Sequence, residues 1–400
     1  MDTTLESPQR LCDICAMHCI LTNFVYKPSS IRFFSTLSIS LAWFLSSATT
    51  YAANVQTLEV PTGFNIEILN FSVPNARQMA LTSRGTLIIG TRREGKVYAI
   101  PNALTSAAPR VITLMEGLNM PSGVAVYEGS LYIGAVNQII RVPDIDDHLV
   151  AQPPSTVLTD RLPQASHHGW KYLKFGPDGA LYVPVGAPCN ICLSDDARFA
   201  SLLRMDTETG ATQIWAEGIR NTVGFDWHPS DGQLWFSDNG RDMLGDDLPA
   251  EEINVISQPG EHFGYPFLHA THTRDPEFGT HDRANISSFT SPVLEIQAHS
   301  APLGMAFYEG TAFPESYRHT LFIAEHGSWN RSTKVGYQVS KVRRDSRGQL
   351  SYEPFVTGWL INDEAWGRPN DVMVAPDGSV LISDDDQGVV YRVTYEQISD

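Results

Sequence analysis

Apolar and polar residues follow two different rhythms along this chain of 400 residues. Residues 33 to 45, FFSTLSISLAWFL, make one nearly unbroken apolar run. From residue 53 onward the run gives way to short alternating stretches separated by Gly, Pro, Asp and Ser. Alternation with a period of two marks half-buried strands, whose side chains point to opposite faces in turn. No stretch in 53 to 400 carries a long apolar stripe at helical spacing, so helix is expected to be minor.

The alternating stretches also repeat. Each unit is an apolar strand, a turn containing Gly, and a second apolar strand. The copies read MALTSRGTLII (79 to 89), GVAVYEGSLYIG (123 to 134), LKFGPDGALYVPVG (173 to 186) and GFDWHPSDGQLWFSD (224 to 238). A fifth, GMAFYEGTAFPESYRHTLFIAE (304 to 325), has an expanded turn, and VMVAPDGSVLISD (372 to 384) is the sixth. Pro-Asp-Gly sets one φ near its helical value and then allows a positive one, which closes a tight hairpin. Several copies run on into a further strand, as in GKVYAI, NQIIRV, EEINVI and GVVYRVTY. Self-similar four-stranded units at this spacing predict an all-β, six-bladed β-propeller. GFNIEILN (63 to 70) is expected to complete the last blade, and 257 to 300 to form a loop over one face.

The early apolar run follows Lys27 and Arg32 and precedes Ser46-Ser47-Ala48-Thr49-Thr50-Tyr51-Ala52. That is the layout of a secretory signal cut before Ala53. The run is short for a membrane span, which takes roughly 20 apolar residues. The expected organisation is therefore an N-terminal extension with signal peptide over 1–52 and one propeller over 53–400, placed in a bacterial periplasm. No stable membrane association is expected unless the signal stays uncleaved.

Removal of that segment takes Cys12, Cys15 and Cys19 with it and leaves Cys189 and Cys192. Covalent haem would need His after the second Cys, where Leu193 stands. A zinc site would need further soft ligands. A small-loop disulfide is the preferred reading in an oxidising compartment. The formal net charge of −17 argues against a nucleic-acid partner, since a polyanion needs a basic footprint.

Polar clusters recur at matching places in the units. His167-His168 precede the third, Arg220-Asn221 the fourth, His299 the fifth, and Arg368-Pro369-Asn370-Asp371 the sixth. Asp238-Asn239-Gly240-Arg241-Asp242 follows the fourth unit's second strand, with Asp246, Asp247, Glu251 and Glu252 beyond it. Taken singly these are turns, caps or ion pairs. Equivalent positions in successive blades place most of them on one rim. The acidic run also has the oxygen ligands that a hard cation takes, without EF-hand spacing.

The segments HHGWKYLKFGPDGALYVPVGAPCNIC, GIRNTVGFDWHP, DNGRD…DDLPAEEIN and GRPNDVMVAPDG resemble the soluble glucose dehydrogenase and sorbosone dehydrogenase group of PQQ enzymes. The sorbosone branch is the more similar, and the likeness covers residues 55 to 395. It implies a propeller with PQQ over the channel mouth, a calcium ion, and oxidation of a sugar or sugar aldehyde. A separate electron acceptor would reoxidise the cofactor. By the resemblance His168 is the general base. Arg220 and Asn221 contact the quinone oxygens, and Arg368 and Asn370 bind PQQ carboxylates. Gly240 and Arg241 offer backbone carbonyls to calcium, while Asn239 and His299 fall at cofactor-contacting positions.

The chain also departs from that pattern. The glucose enzymes orient the base with an Asp where Ala187 stands, and Asp195 or Asp196 is the candidate replacement. A cofactor-binding Lys is missing, with His326, Arg331 or Lys334 as candidates, and a second-blade Gln gives way around Ser122. These departures move the expected substrate from glucose toward a sugar aldehyde or another polyol. Two other classes fit a six-bladed propeller: a calcium-dependent lactonase or hydrolase, and a non-catalytic module that binds carbohydrate or protein.

Overall fold

The computed structural model describes residues 55–396, and the expected signal and its three cysteines lie outside them. Within this span the repeats pair into six antiparallel sheets, and the innermost strands of neighbouring sheets pack on one another around an axis. The protein is a six-bladed β-propeller. The inner strands begin at Ala76, Gly123, Lys174, Phe225, Pro302 and Pro369. Among the described residues no helix is long and apolar enough to cross a membrane.

Apolar alternation explains how the blades cohere. Leu87 and Ile89 pack toward the sixth blade, whereas Ile88 between them packs toward the second. Leu381 likewise faces the first blade, while Val380 and Ile382 face the fifth. Each of six apolar clusters lies between two adjacent blades. No blade could bury both faces alone, so the ring supplies the core. The Pro-Asp-Gly turns close as their chemistry requires, with Gly179 and Gly378 at φ of 73° and 79°.

Closure joins the two ends of the described chain. Phe64–Ile68 pairs antiparallel with Val389–Tyr395 and becomes the outermost strand of the sixth blade. The Phe64 ring meets Phe313, Phe355, Tyr317 and Tyr395 with centroids at 4.7 to 5.3 Å.

The segment 257 to 300 is more than the loop its composition predicts. Glu261–His262 adds in parallel to the outer strand of the third blade, and Leu268–His269 pairs with Thr273–Arg274. Leu294–Ile296 is the fourth strand of the fourth blade. Three residues are too few to show alternation, which is why this strand reads as loop.

The inner strands have open edges at the axis, and side chains tie them from blade to blade. Gln78 donates to Leu173 O (2.7 Å) and accepts from Val124 and Leu173 N–H (3.0 and 2.8 Å), linking three blades. Ser237 donates to Leu303 O (2.9 Å), Asp226 accepts from Phe307 N–H (2.9 Å), and Asp371 accepts from Met79 N–H (2.8 Å). Gly304 permits this approach, since a Cβ there would sit 2.1 Å from the Asp371 carboxylate.

Truncating the closing aromatic should show how much the ring depends on it. Phe64→Ala is expected to lower unfolding free energy by about 3–5 kcal/mol, the usual cost of removing a buried Phe. A urea titration would read this as a lower midpoint with an unchanged slope.

Candidate active site

At one end of the axis the chain leaves a cavity of about 610 Å³. Two sets of positions line it, and both follow from antiparallel geometry. The residues at or just before the start of an inner strand and those just after the second strand of the same blade lie at the same end of the sheet. The first set supplies Arg77, His168, Arg220, Asn221, His299 and Arg368; the second supplies Arg92, Asn239 and His326.

His168 sits at φ 49°, in the left-handed region that a non-glycine residue occupies only under local constraint. Gly186 makes the placement possible, because a Cβ there would lie 2.6 Å from His168 Cβ. His168 is buried, and its Nδ1 lies 3.0 Å from Ala187 O. A carbonyl only accepts, so Nδ1 carries the proton and Nε2 keeps its lone pair. Burial first, then the charge of Arg220 and the neighbouring His167, hold the imidazole well below its usual value of 6.5. The side chain is thus a neutral, oriented base. The orienting task expected of Asp195 or Asp196 falls to the backbone of Ala187, which stands where the resemblance to the glucose enzymes expects an Asp. Asp196 is engaged by Arg198 at 2.6 Å.

Arg220 is almost fully engaged. Nε donates to Asn190 O (2.9 Å), Nη1 to Asn239 O (3.0 Å), and Nη2 to Asn190 Oδ1 (2.8 Å) and Asp242 (3.2 Å). Asp238 accepts from the backbone N–H groups of Arg220 and Asn221 at 2.8 and 2.6 Å. The acidic turn therefore clamps the Arg-Asn pair, beyond any role with a cation. Asn239 donates to Asn221 O and Pro302 O, and His299 contacts Gly245 O at 2.8 Å.

A second ionic group faces it. Arg77 pairs with Asp385 at 2.6 Å, and His326 Nε2 donates to the other oxygen of Asp385 at 2.7 Å. Burial opposes the charge of Asp385, but His326 and Arg77 outweigh it and hold the carboxyl well below the usual range. Asn370 accepts from Arg77 when its amide oxygen faces the guanidinium. It stands behind the cavity wall, as does Arg241, whose side chain pairs with Asp275 at 2.6 Å. Arg331 and Lys334 turn away to Asp247 and Asp363, so of the three candidates for the missing Lys only His326 reaches the cavity. Ser122 is buried beneath the wall and donates to Lys171 O.

Arg77, Arg92 and Trp170 also line the cavity and are not among the residues singled out from the sequence. Arg77-Gln78 stands directly before the first repeat, where Arg220-Asn221 stands before the fourth, so the period contained its signal. Arg92 follows a second strand, as Asn239 and His326 do. It stacks 3.8 Å above the Trp170 ring, and burial and then repulsion from Arg77 and Arg93 lower its pKa to about 10. Arg92 Nε and Trp170 Nε1 are buried donors without a protein partner. Five arginines, Arg77, Arg92, Arg93, Arg220 and Arg368, thus line one cavity of a chain with net charge −17. Such a wall suits a planar anion with several carboxylates.

The cation question rests on oxygen donors. Among the described residues no group of three or more His, Cys, Asp or Glu is placed to hold a metal. A calcium ion here would draw on backbone carbonyls, with the buried Glu251 nearby. The Asn239–Gly240 peptide is fixed on both sides, its carbonyl by Arg220 and its N–H by Glu251 at 2.6 Å.

The model of the TrAA12-like family matches residues 58–396. The chain belongs to the TrAA12-like family. An uncharacterised protein of Borreliella burgdorferi is 35% identical over 372 residues, covering 89% of this chain and 96% of that one. The holo PQQ domain of pyranose dehydrogenase from Coprinopsis cinerea is similar in structure, with a TM-score of 0.70 and 17% identity over 84% of this chain and 97% of that one. A calcium structure of the Trichoderma reesei family AA12 enzyme gives 0.68 and 20%, over 85% and 97%. At these identities the structural likeness is one of fold.

The Arg77–Asp385 pair makes a measurable claim on this TrAA12-like protein. Asp385→Asn is expected to cost about 2–3 kcal/mol at pH 7, since it leaves a buried guanidinium without its counter-charge. A depressed folded-state pKa contributes stability above the unfolded value of about 4 and loses it as pH falls toward the folded value. Urea midpoints of wild type and variant should therefore be well separated at pH 7, and the gap should begin to narrow only as pH falls below about 4.

Proposed function

We propose that this protein is a PQQ- and calcium-dependent dehydrogenase of a sugar or sugar aldehyde. The observation that carries the reading is a buried, neutral His168 set in the same cavity as five arginines. The named fold relatives support it, one being the holo PQQ domain of a pyranose dehydrogenase and the other a calcium structure of a carbohydrate-active enzyme. Arg77, Arg92 and Arg368 would hold the cofactor's carboxylates, and Arg220 with Asn221 would meet its quinone edge. The carbonyls of Gly240 and Arg241 would hold calcium. When bound, PQQ supplies the acceptor for a hydride and calcium the charge that polarises it.

The chain's own residues supply the remaining chemistry. His168 Nε2 accepts the proton of the substrate hydroxyl, while Nδ1 stays bonded to Ala187 O and keeps the ring from turning. The carbon bearing that hydroxyl gives up a hydride, so two electrons and two protons' worth of hydrogen leave the substrate together as H⁺ and H⁻. Arg220 and Asn221 stabilise negative charge as it grows on the opposite side. Trp329 stands at the mouth, where an aromatic face suits the C–H surface of a sugar ring. Electrons leave to a separate acceptor, and the apolar run over 33 to 45 supports export to a bacterial periplasm.

Titrating PQQ into the protein with calcium, by absorbance and with EDTA as control, tests the reading. Stoichiometric, calcium-dependent uptake and dye reduction with an aldose or sugar aldehyde are expected. Absence of uptake at micromolar protein would sink it and favour a hydrolase or a binding module.

His168→Ala should keep cofactor uptake and lower kcat by about 10²–10⁴, the range for loss of a general base. The acidic limb of kcat/KM is expected below pH 6.5, because a depressed pKa leaves the imidazole unprotonated further into acid. A limb above 6.5 would remove His168 as the base.

A further inference from the structure

The Cys189–Cys192 disulfide closes a loop around Asn190 and Ile191, and Asn190 holds Arg220. A guanidinium has five N–H groups. Four of those of Arg220 are engaged, and two of the four go to Asn190, one to its carbonyl and one to its amide oxygen. Asn190 is itself held by Asp242, whose N–H donates to Asn190 Oδ1 (2.8 Å) and whose carbonyl accepts from Asn190 Nδ2 (3.1 Å). Tyr265 completes the support, its hydroxyl accepting from Cys192 N–H at 3.1 Å and lying 3.5 Å from Cys189 Sγ. One N–H, on Nη1, remains for a ligand, and the other four bonds set its direction.

We propose that Asn190, held by the Cys189–Cys192 staple, is the positioning residue for Arg220, so that the disulfide acts on the site through one guanidinium. This rests on the reading of Arg220 as a cofactor-facing residue. A freely rotating arginine loses about 2 kcal/mol of rotamer entropy when it is ordered. The loop removes that freedom before any ligand arrives, which is how a fixed donor gains over a mobile one. Asn190 never touches the cavity, so its effect must travel through Arg220.

The test uses the full chain and a readout that needs no cofactor, the titration of His168 followed by histidine NMR. The charged groups acting on that ring besides Arg220 are His167 and Arg92. Arg220→Ala gives the reference, since loss of its positive charge should move the His168 titration upward. Asn190→Ala should move it in the same direction by part of that amount. In the Arg220→Ala background, Asn190→Ala should add nothing, because effects that run through one residue are not additive. Unchanged His168 in Asn190→Ala, or an equal shift with and without Arg220, would overturn the proposal.

Should Asn190→Ala fail to fold, the Cys189→Ser/Cys192→Ser protein and dithiol treatment of folded wild type give the same comparison. PQQ titration then separates this inference from the functional one. Wild type that binds, with Asn190→Ala about tenfold weaker as expected for lost charged hydrogen bonds, supports both. Wild type that does not bind ends the dehydrogenase reading while the NMR comparison still decides the role of Asn190.

Discussion

Each blade ends, at the axis, in a strand with an open edge, and a buried open edge must find hydrogen-bond partners. The propeller meets this demand with side chains that cross from one inner strand to the next, as Gln78, Asp226 and Asp371 do. Polar residues are therefore obligatory at the inner strands, in places where a packed β-sheet would carry Val or Ile. The same necessity places polar groups at the entry of each inner strand, where the channel opens. The functional cavity is an extension of the way the fold satisfies its axis.

That continuity decides what was legible in the sequence. Strand alternation and Pro-Asp-Gly turns are local, and they showed the six units and the strand at 64–68 that closes the ring. The period also revealed one set of cavity residues, those before the inner strands, including His168, Arg220 and Arg368. The second set, after the second strands, was read only at Asn239 and, through the family resemblance, His326, and so Arg92 was passed over. Asn370 and the Arg241 side chain lie at the right chain positions yet do not line the cavity, each being held by a partner: Asn370 by the Arg77 guanidinium, Arg241 by Asp275. Chain position specifies the rim; local pairing decides which side chains face the ligand.

Charge distribution sharpens the distinction between the rim and the rest. A chain with net charge −17 repels anions at long range, yet it gathers five arginines at one mouth. Only some of these are neutralised internally. Arg77 has Asp385 and Arg220 has Asp242, but Arg92 rests on Trp170 with its Nε unpartnered and a depressed pKa. Guanidinium groups crowded to that degree destabilise the free protein, and a polycarboxylate removes the strain on binding. The pattern supports the proposed reading of a polycarboxylate cofactor in this cavity.

The partner of the His168 ring is a backbone carbonyl, that of Ala187, and not a carboxylate. A carboxylate beside an imidazole orients it and also stabilises its protonated form, raising its pKa. The Ala187 carbonyl keeps the orientation and removes the charge, while Arg220 works against the imidazolium. His168 is consequently a weaker base than a carboxylate-backed histidine. Under Brønsted behaviour a weaker base keeps pace only if the proton it takes is easier to remove. Anomeric hydroxyls of sugars and the hydrates of sugar aldehydes are more acidic than ordinary alcohols, so under the proposed dehydrogenase reading they would match such a base better than a simple polyol.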